Sequence, residues 1–297
     1  MKKAFVLGGT LFFGKRLVQH LLDRGWEVTI ATRGIAADPF GEHIQRLILD
    51  RENKETLLSA LGHTDTYWDC VFDQTCYSPL EIRDVLDVLH GRIGHYVLTS
   101  TMAVYEFGVR KQESEYDPLG YPIHYRGRRE YPGLEGYREA KRQAEAVLFQ
   151  SGIPGTAIRF PLVIGPDDYT GRFQFHVDRV KTGVPIGITR AEDRIGFIDS
   201  DDAARFLLFA AENKLIGSFN AGSPGDISFA ELLERIGSQA KMDAQITAPA
   251  DPAIRSPYDV GGSLSLDVSK ACSAGFQFRQ LDDLLNELIM HDLLQSE

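Results

Sequence analysis

Lys3-Ala4-Phe5-Val6-Leu7-Gly8-Gly9-Thr10-Leu11-Phe12-Phe13-Gly14-Lys15 is the stretch on which the fold turns. Residues 3–7 are an apolar run of strand length, and residues 15–23 carry Leu17, Leu21 and Leu22 on one helical face. Between them Gly8 permits a tight turn, and Gly14 lets the helix pack closely on the strand. A strand, a glycine turn and a helix N-terminus aim backbone N–H groups and the positive end of a helix dipole at one point, which is how a dinucleotide pyrophosphate is held. Leu11 replaces the middle glycine of the usual fingerprint. The bland alternative is an ordinary strand–helix connection.

Outward from this loop the chain alternates. Gly25 closes the first helix, and further strands are expected at 27–32, 47–49, 70–72, 96–99 and 156–159, with helices at 81–89 and 137–149. Such alternation implies right-handed crossovers and an α/β fold, a Rossmann-type doubly wound parallel sheet covered on both faces. After Pro166 the pattern changes to helices at 172–181, 201–211, 229–236 and 281–294, with short strands near 196–198 and 219–220. The expected organisation is an NAD(P)-binding Rossmann domain over 1–165, to which segments around 196–222 return, and a smaller C-terminal α/β substrate-binding region over 166–297. Residues 106–132, rich in Tyr, Arg, Gly and Pro, read as one long loop over an active-site mouth.

Composition narrows the classes. A chain of 297 residues with 43% hydrophobic content can bury a large core, and 25% charged residues argue against disorder. A net charge of −10 opposes generic nucleic-acid binding, which rests on Lys and Arg meeting phosphates. The apolar run after Met1-Lys2-Lys3 imitates a signal peptide, but Gly8-Gly9 interrupt it and no small-x-small site follows. No later segment reaches the ~18 apolar residues of a membrane span. Cys70, Cys76 and Cys272 form neither a disulfide framework nor a metal spacing, which suits a reducing, cytoplasmic setting. The eight histidines are scattered, and no metal site is expected.

Chemistry concentrates in Tyr137-Arg138-Glu139-Ala140-Lys141. A Tyr and a Lys four residues apart on a helix lie one above the other on the same face. An ammonium under a phenol favours the phenolate, a proton-transfer group. Moving a phenol from pKa ~10 to ~7 takes about 4 kcal/mol of differential stabilisation, which needs a buried cation rather than a solvated one. Thr99-Ser100-Thr101 ends a strand where open α/β sheets bind ligands, so Thr99 is expected beside the cofactor and Thr101 beside the substrate. Small polar residues there can equally be turn formers. Arg33 ends the second strand where NAD-specific folds carry an acid, and it suits the 2′-phosphate of NADP, so the cofactor reading is NAD(P) leaning to NADP. Asp50 would accept from the adenine amino group with Arg51 stacked beside it, although a turn-forming Asp and a solvent-facing Arg33 are the plain alternatives.

Together these motifs resemble the extended short-chain dehydrogenase/reductase superfamily, in its NAD-dependent epimerase/dehydratase branch. Ser100-Thr101-Met102-Ala103-Val104-Tyr105 is similar to that family's Ser-Ser-x-x-Val-Tyr-Gly, and Arg159-Phe160-Pro161-Leu162-Val163-Ile164-Gly165-Pro166 to its Arg-Pro-x-x-Val-Tyr-Gly-Pro. Phe197-Ile198-Asp199-Ser200-Asp201-Asp202-Ala203-Ala204 resembles Phe-Ile-x-Val-x-Asp-x-Ala, and residues 267–276 resemble its Asp-x-x-Lys-Ala-x-x-x-Gly-Phe ending. The resemblance implies that Tyr137 is the catalytic acid/base, that Lys141 binds the nicotinamide ribose and lowers the tyrosine's pKa, and that Thr101 is the third catalytic group. It implies that Gly8, Thr10, Phe13 and Gly14 line the pyrophosphate and ribose, while Phe160 and Val163 flank the nicotinamide. It is compatible with a homodimer.

Departures narrow the chemistry. Dehydratases of this branch carry Asp-Glu after the Thr, whereas Met102-Ala103 cannot transfer a proton, so dehydration is disfavoured. Leu162 replaces the substrate-contacting Asn of the hexose epimerases. What remains is an NAD(P)-dependent epimerase or reductase acting on a sugar-nucleotide-like or other small substrate. Arg126-Gly127-Arg128-Arg129, Arg172 or Arg194 would hold a phosphate of that substrate, or would be solvated surface. Gly-Gly-Thr-x-Phe-Phe-Gly also resembles an atypical subgroup that includes chloroplast stem-loop RNA-binding proteins, many of which have lost the Tyr and Lys. The alternatives are therefore a non-catalytic dinucleotide- or RNA-binding protein, and a redox-sensing regulator.

Overall fold

The computed structural model describes residues 1–295 and bears out the α/β expectation. Seven strands form one sheet: β1 (Lys3–Leu7), β2 (Glu27–Thr32), β3 (Ile44–Ile48), β4 (Cys70–Asp73), β5 (Tyr96–Thr101), β6 (Gly155–Phe160) and β7 (Gly217–Asn220). Their spatial order is β7-β6-β5-β4-β1-β2-β3, and every neighbouring pair runs parallel. The order reverses between β1 and β4, the switch point of a Rossmann-type sheet, where ligands bind beyond the strand carboxyl ends.

Burial explains which strands were easy to read. β4 is buried throughout, as is β6, and β1 and β5 nearly so, as expected for strands covered on both faces. β3 is one of the two edge strands, and Gln45 and Arg46 face solvent. Its polar outer residues hid its start, so the expected strand at 47–49 begins instead at Ile44.

Nine helices accompany the strands among the described residues: α1 (Phe12–Asp23), α2 (Lys54–Leu61), α3 (Pro79–Val88), α4 (Gly133–Gln150), α5 (Gln174–Thr182), α6 (Ser200–Glu212), α7 (Phe229–Ala240), α8 (Ser269–Ser273) and α9 (Leu281–Gln295). α2 was not foreseen. It has only two turns, buries only Leu57 and Leu61, and starts from Asn53, whose side chain accepts from the Glu55 N–H at 3.0 Å. α4 begins at Gly133, four residues before Tyr137. Residues 106–132 are not one loop: a strand covers Gly108–Lys111, and 3₁₀ turns cover Glu113–Glu115 and Arg128–Glu130.

The chain divides into two compact units. The first comprises residues 1–105, 113–160 and 203–220 and contains the seven-stranded sheet, with Phe5, Leu7, Val71, Val85, Leu98 and Leu148 in its core. Each such side chain contributes about 1.5–3 kcal/mol on burial. The second comprises 106–112, 161–202 and 221 onward. Its core packs α5, α7 and α9 through Val177, Leu232, Ile236, Leu285 and Ile289. A capping box starts α7: Ser228 accepts from the Glu231 N–H at 3.1 Å, and the Glu231 carboxylate accepts from the Ser228 N–H at 2.8 Å.

Candidate dinucleotide cleft and the Tyr137–Lys141 face

Between β1 and α1 the backbone takes conformations that glycine allows: φ is +109° at Gly8 and +93° at Gly9. A Cβ on Gly9 would lie 2.9 Å from Val18 Cγ2 and 3.2 Å from Val6 Cγ1, so the turn is pressed against both the helix and the strand. Gly14 also admits a close approach, but to Gly9 Cα at 3.3 Å and to the Gln74 side chain. α1 starts with no side-chain cap and no acidic residue in its first turn. Its positive end is therefore set for an anion supplied from outside the helix.

A cleft of 380 Å³ opens on this turn, bordered by Gly8, Thr10, Leu11, Arg33, Asp50 and Tyr77 among others. That is within the size range of small-molecule sites. Arg33 is exposed at the cleft and has no ion-pair partner among the described residues. Asp50 also borders it, accepting from the Glu52 N–H at 3.0 Å as a turn-former does. Arg51 lines the cleft, yet its guanidinium is buried: it forks onto Asp73, donates to Thr75 Oγ1 at 3.1 Å and lies 3.3 Å from Glu81. Arg51 thus stands beside Asp50 at the cleft, as expected of a residue stacked there, with its charge engaged inward. Burial pushes the Asp73 carboxyl up, but the charge and hydrogen bonds of Arg51, with the Tyr96 hydroxyl donating at 2.6 Å, reverse this and hold it below the usual carboxylate range.

The basic run 126–129 divides in use. Arg128 donates to Glu81 and to the Thr75 carbonyl at 3.1 Å, and its guanidinium sits 4.8 Å from the centre of the Tyr77 ring. Arg129 is 88% exposed and reaches Glu52 at 3.1 Å. Arg128 borders the cleft.

On α4, Lys141 is 4% exposed. Its ammonium donates to the Thr99 carbonyl at 2.7 Å and to the Cys76 carbonyl at 2.8 Å. Helix and strand ends are thereby joined. Tyr137 is half-buried one turn earlier, its ring 6.3 Å from that of Tyr77, and Tyr77 also lies 5.4 Å under Lys141 Nζ. Arg138 donates to the Ala103 carbonyl at 3.1 Å and to the Tyr105 carbonyl, holding the turn after Thr101 against α4. Thr101 Oγ1 accepts from the Ala103 N–H at 3.2 Å and keeps its own hydroxyl proton to donate. Phe13 meets Phe160 edge-on at 5.8 Å. Val163 lies on the short strand Leu162–Ile164 of the second unit.

Whether a dinucleotide suits these residues can be judged from atoms left over. Thr99 Oγ1 and Gln74 Nε2 are buried with no hydrogen-bond partner among the described residues, at the carboxyl ends of β5 and β4. With the glycine turn, the uncapped helix start and the exposed Arg33, they suit a polar, anionic ligand. Gln74, Thr75 and Tyr77 went unnoticed in the sequence. Their only signal was a polar run directly after an apolar strand, whereas Arg128 belongs to the basic run 126–129 expected to hold a substrate phosphate.

No family model matches the chain. Among solved structures it is similar to the UDP-glucose 4-epimerase of Thermus thermophilus in complex with NAD, at 19% identity and a TM-score of 0.74 over 98% of each chain. It is similar to a putative epimerase from Burkholderia cenocepacia J2315, at 21% identity and a TM-score of 0.77 over 100% of this chain and 99% of that one. The dTDP-glucose 4,6-dehydratase of Bacillus anthracis in complex with NAD aligns at 13% identity and a TM-score of 0.75, over 100% and 98% of the two chains. One curated protein, the chloroplast stem-loop binding protein of 41 kDa b from Arabidopsis thaliana, is 26% identical over 201 residues. That stretch is 63% of this chain and 49% of that protein, so the chain spans about half the length of the curated protein it matches. The chain therefore has the fold of these epimerase and dehydratase structures, a Rossmann-type parallel sheet with a glycine turn at its first strand.

Proposed function

We propose that the chain belongs to the NAD-dependent epimerase/dehydratase family and is an NAD(P)-dependent epimerase or reductase, with Tyr137 as its acid/base. The observation that carries this reading is the buried Lys141 ammonium, held by the Thr99 and Cys76 carbonyls one helical turn from Tyr137. A nicotinamide bound at this face supplies the hydride acceptor or donor. When a carbinol is oxidised, the Tyr137 phenolate takes the hydroxyl proton as the C–H hydride leaves and the C=O bond forms. Reduction returns the proton from the phenol. Lys141 supplies the positive charge that favours the phenolate, and the Thr101 hydroxyl donates a hydrogen bond to the reacting oxygen. Gly8, Thr10 and the start of α1 would hold the pyrophosphate, with Arg33 at the adenosine ribose and NADP preferred for that reason. Met102 and Ala103 carry no transferable proton, so elimination of water has no acid or base at that position.

Two measurements test this. Mass spectrometry of small molecules co-purifying with the native protein identifies the dinucleotide: a retained one favours an epimerase, an empty site a reductase. Tyr137→Phe should abolish turnover on a confirmed substrate and leave cofactor affinity nearly unchanged. Full activity in that variant removes Tyr137 from the mechanism.

The match to the stem-loop binding protein favours a second reading, a non-catalytic dinucleotide- or RNA-binding protein. The net charge of −10 and the Tyr137–Lys141 pair weigh against it. Filter binding of structured RNA across a salt series decides between the two, since a steep salt slope at physiological affinity belongs to the RNA reading.

A further inference from the structure

Glu145 is fully buried on α4, one turn below Lys141 and two below Tyr137. The i, i+4 spacing puts all three side chains on one face of the helix. Its carboxylate pairs with Arg159, also fully buried, through Nε at 3.1 and 3.2 Å and Nη2 at 2.6 Å. The remaining Arg159 donors go to Tyr105 Oη at 2.7 Å, Ser218 Oγ at 2.9 Å, and the Glu113 and Tyr116 carbonyls at 3.0 and 3.3 Å. The rings of Tyr105 and Tyr116 each lie 5.0 Å from the guanidinium. A buried pair this well satisfied adds little net stability over a packed apolar pair, so its cost calls for another role.

Glu145 also accepts from the Ser218 hydroxyl at 3.4 Å and, more closely, from the Ser100 hydroxyl. Ser100 stands opposite Arg159 in the β5–β6 register. On one side of it is Thr99, whose carbonyl receives the Lys141 ammonium, and on the other is Thr101. This hydroxyl therefore adds a buried side-chain tie, beside the Lys141–Thr99 bond, between the strand segment that carries both the amine's acceptor and the threonine hydroxyl and the helix that carries Tyr137 and Lys141.

We propose that Ser100, Glu145 and Arg159 are positioning residues for the Tyr137–Lys141 face, setting the height of the β5 end against α4. The proposal rests on the reading of Tyr137 as the proton-transfer group. Ser100→Ala removes the tie and leaves the Glu145–Arg159 pair intact, which makes it the gentlest probe. The readout is the titration of the Tyr137 phenol in the free protein, followed by ¹³C NMR of the labelled ring carbon bearing the hydroxyl and assigned by the signal lost in Tyr137→Phe. Ser100→Ala should move the midpoint upward by about one pH unit, because the Lys141 charge is held less closely, and Ser100→Thr should restore it. On a confirmed substrate, kcat should fall about tenfold with KM unchanged. Glu145→Gln, if it folds, should shift the midpoint in the same direction. An unmoved midpoint in folded Ser100→Ala overturns the positioning role while leaving Tyr137 as acid/base. Full turnover by Tyr137→Phe overturns both.

Discussion

Lys141 donates to the backbone carbonyl of Thr99 at 2.7 Å, so a charge on a helix is fixed to the end of a strand by main-chain atoms. Carbonyl oxygens hold the ammonium without neutralising it, as a carboxylate would. The positive charge remains available to the phenol one turn away. Lys141→Met should therefore act twice. It leaves the Thr99 and Cys76 carbonyls without this donor, at a cost of about 1–3 kcal/mol for each buried acceptor left unpaired, and it removes the charge. Turnover should fall by at least about 10²-fold, and the melting temperature should fall as well. Tyr137→Phe, at a half-buried position, should lose turnover with little change in melting temperature. Equal loss of stability in both variants would contradict this division.

Arg33 is the exposed cation at the cleft, and no carboxylate engages it among the described residues. A free guanidinium gains most from a doubly charged phosphate. Arg33→Ala should weaken NADPH binding about tenfold, equivalent to about 1.4 kcal/mol, and leave NADH binding unchanged. Fluorescence titration with the two cofactors gives the ratio. Equal weakening of both would place Arg33 on a group the two cofactors share.

Gly9→Ala should damage binding through the backbone. At φ +93° a side chain is strained, and its Cβ would meet Val18 Cγ2 at 2.9 Å. The strain is on the order of 1–3 kcal/mol, and relieving it means moving α1 away from β1. Dinucleotide affinity should drop together with the melting temperature. An unchanged affinity would show that the turn does not shape the site.

The turn was readable because glycine at a strand–helix junction has few other uses, and the buried strands because strands covered on both faces are continuous apolar runs. The Tyr137–Lys141 pair was readable because helical periodicity fixes which residues share a face. The partners of Arg51 were hidden for the opposite reason. Its partner Asp73 is 22 residues away on another strand, and nothing local to Arg51 shows that its charge is spent inward. Tyr77 was missed because its importance comes from three neighbours, Arg128, Lys141 and Tyr137, which are distant in sequence. Glu145 sits at the spacing already used for Lys141, but its meaning depends on Arg159 lying opposite Ser100, a register that only the folded sheet supplies.

Each unit carries one buried histidine that should report on acid stability. In the first, His95 is 2% exposed and its Nε2 bonds Thr156 Oγ1 at 3.1 Å. The Thr156 hydroxyl donates to the Leu215 carbonyl, so the ring nitrogen is the donor and a second proton would have to enter at Nδ1. In the second, His176 is fully buried, donates from Nδ1 to the Arg172 carbonyl at 2.9 Å, accepts at Nε2 from Ser256 Oγ at 2.7 Å and stacks on Tyr258 at 4.8 Å. Burial lowers both to about 4 from the ordinary 6.5, with the charge of Lys214 adding to the effect at His95. The folded state thus favours the neutral rings, and as pH falls below 6.5 the unfolded chain takes up these protons first. The stability they contribute is complete above pH 6.5 and is lost between about pH 6.5 and 4, on the order of 3 kcal/mol for the fully buried His176. Asp73 is held low, so its contribution is lost only below the ordinary carboxylate range and falls outside this window. Urea unfolding at pH 7.5, 5.5 and 4.5 should show the decline, and His176→Gln should flatten it in the second unit while lowering stability at pH 7.5. A stability that is level from pH 7 to 4.5 would mean that water reaches both rings.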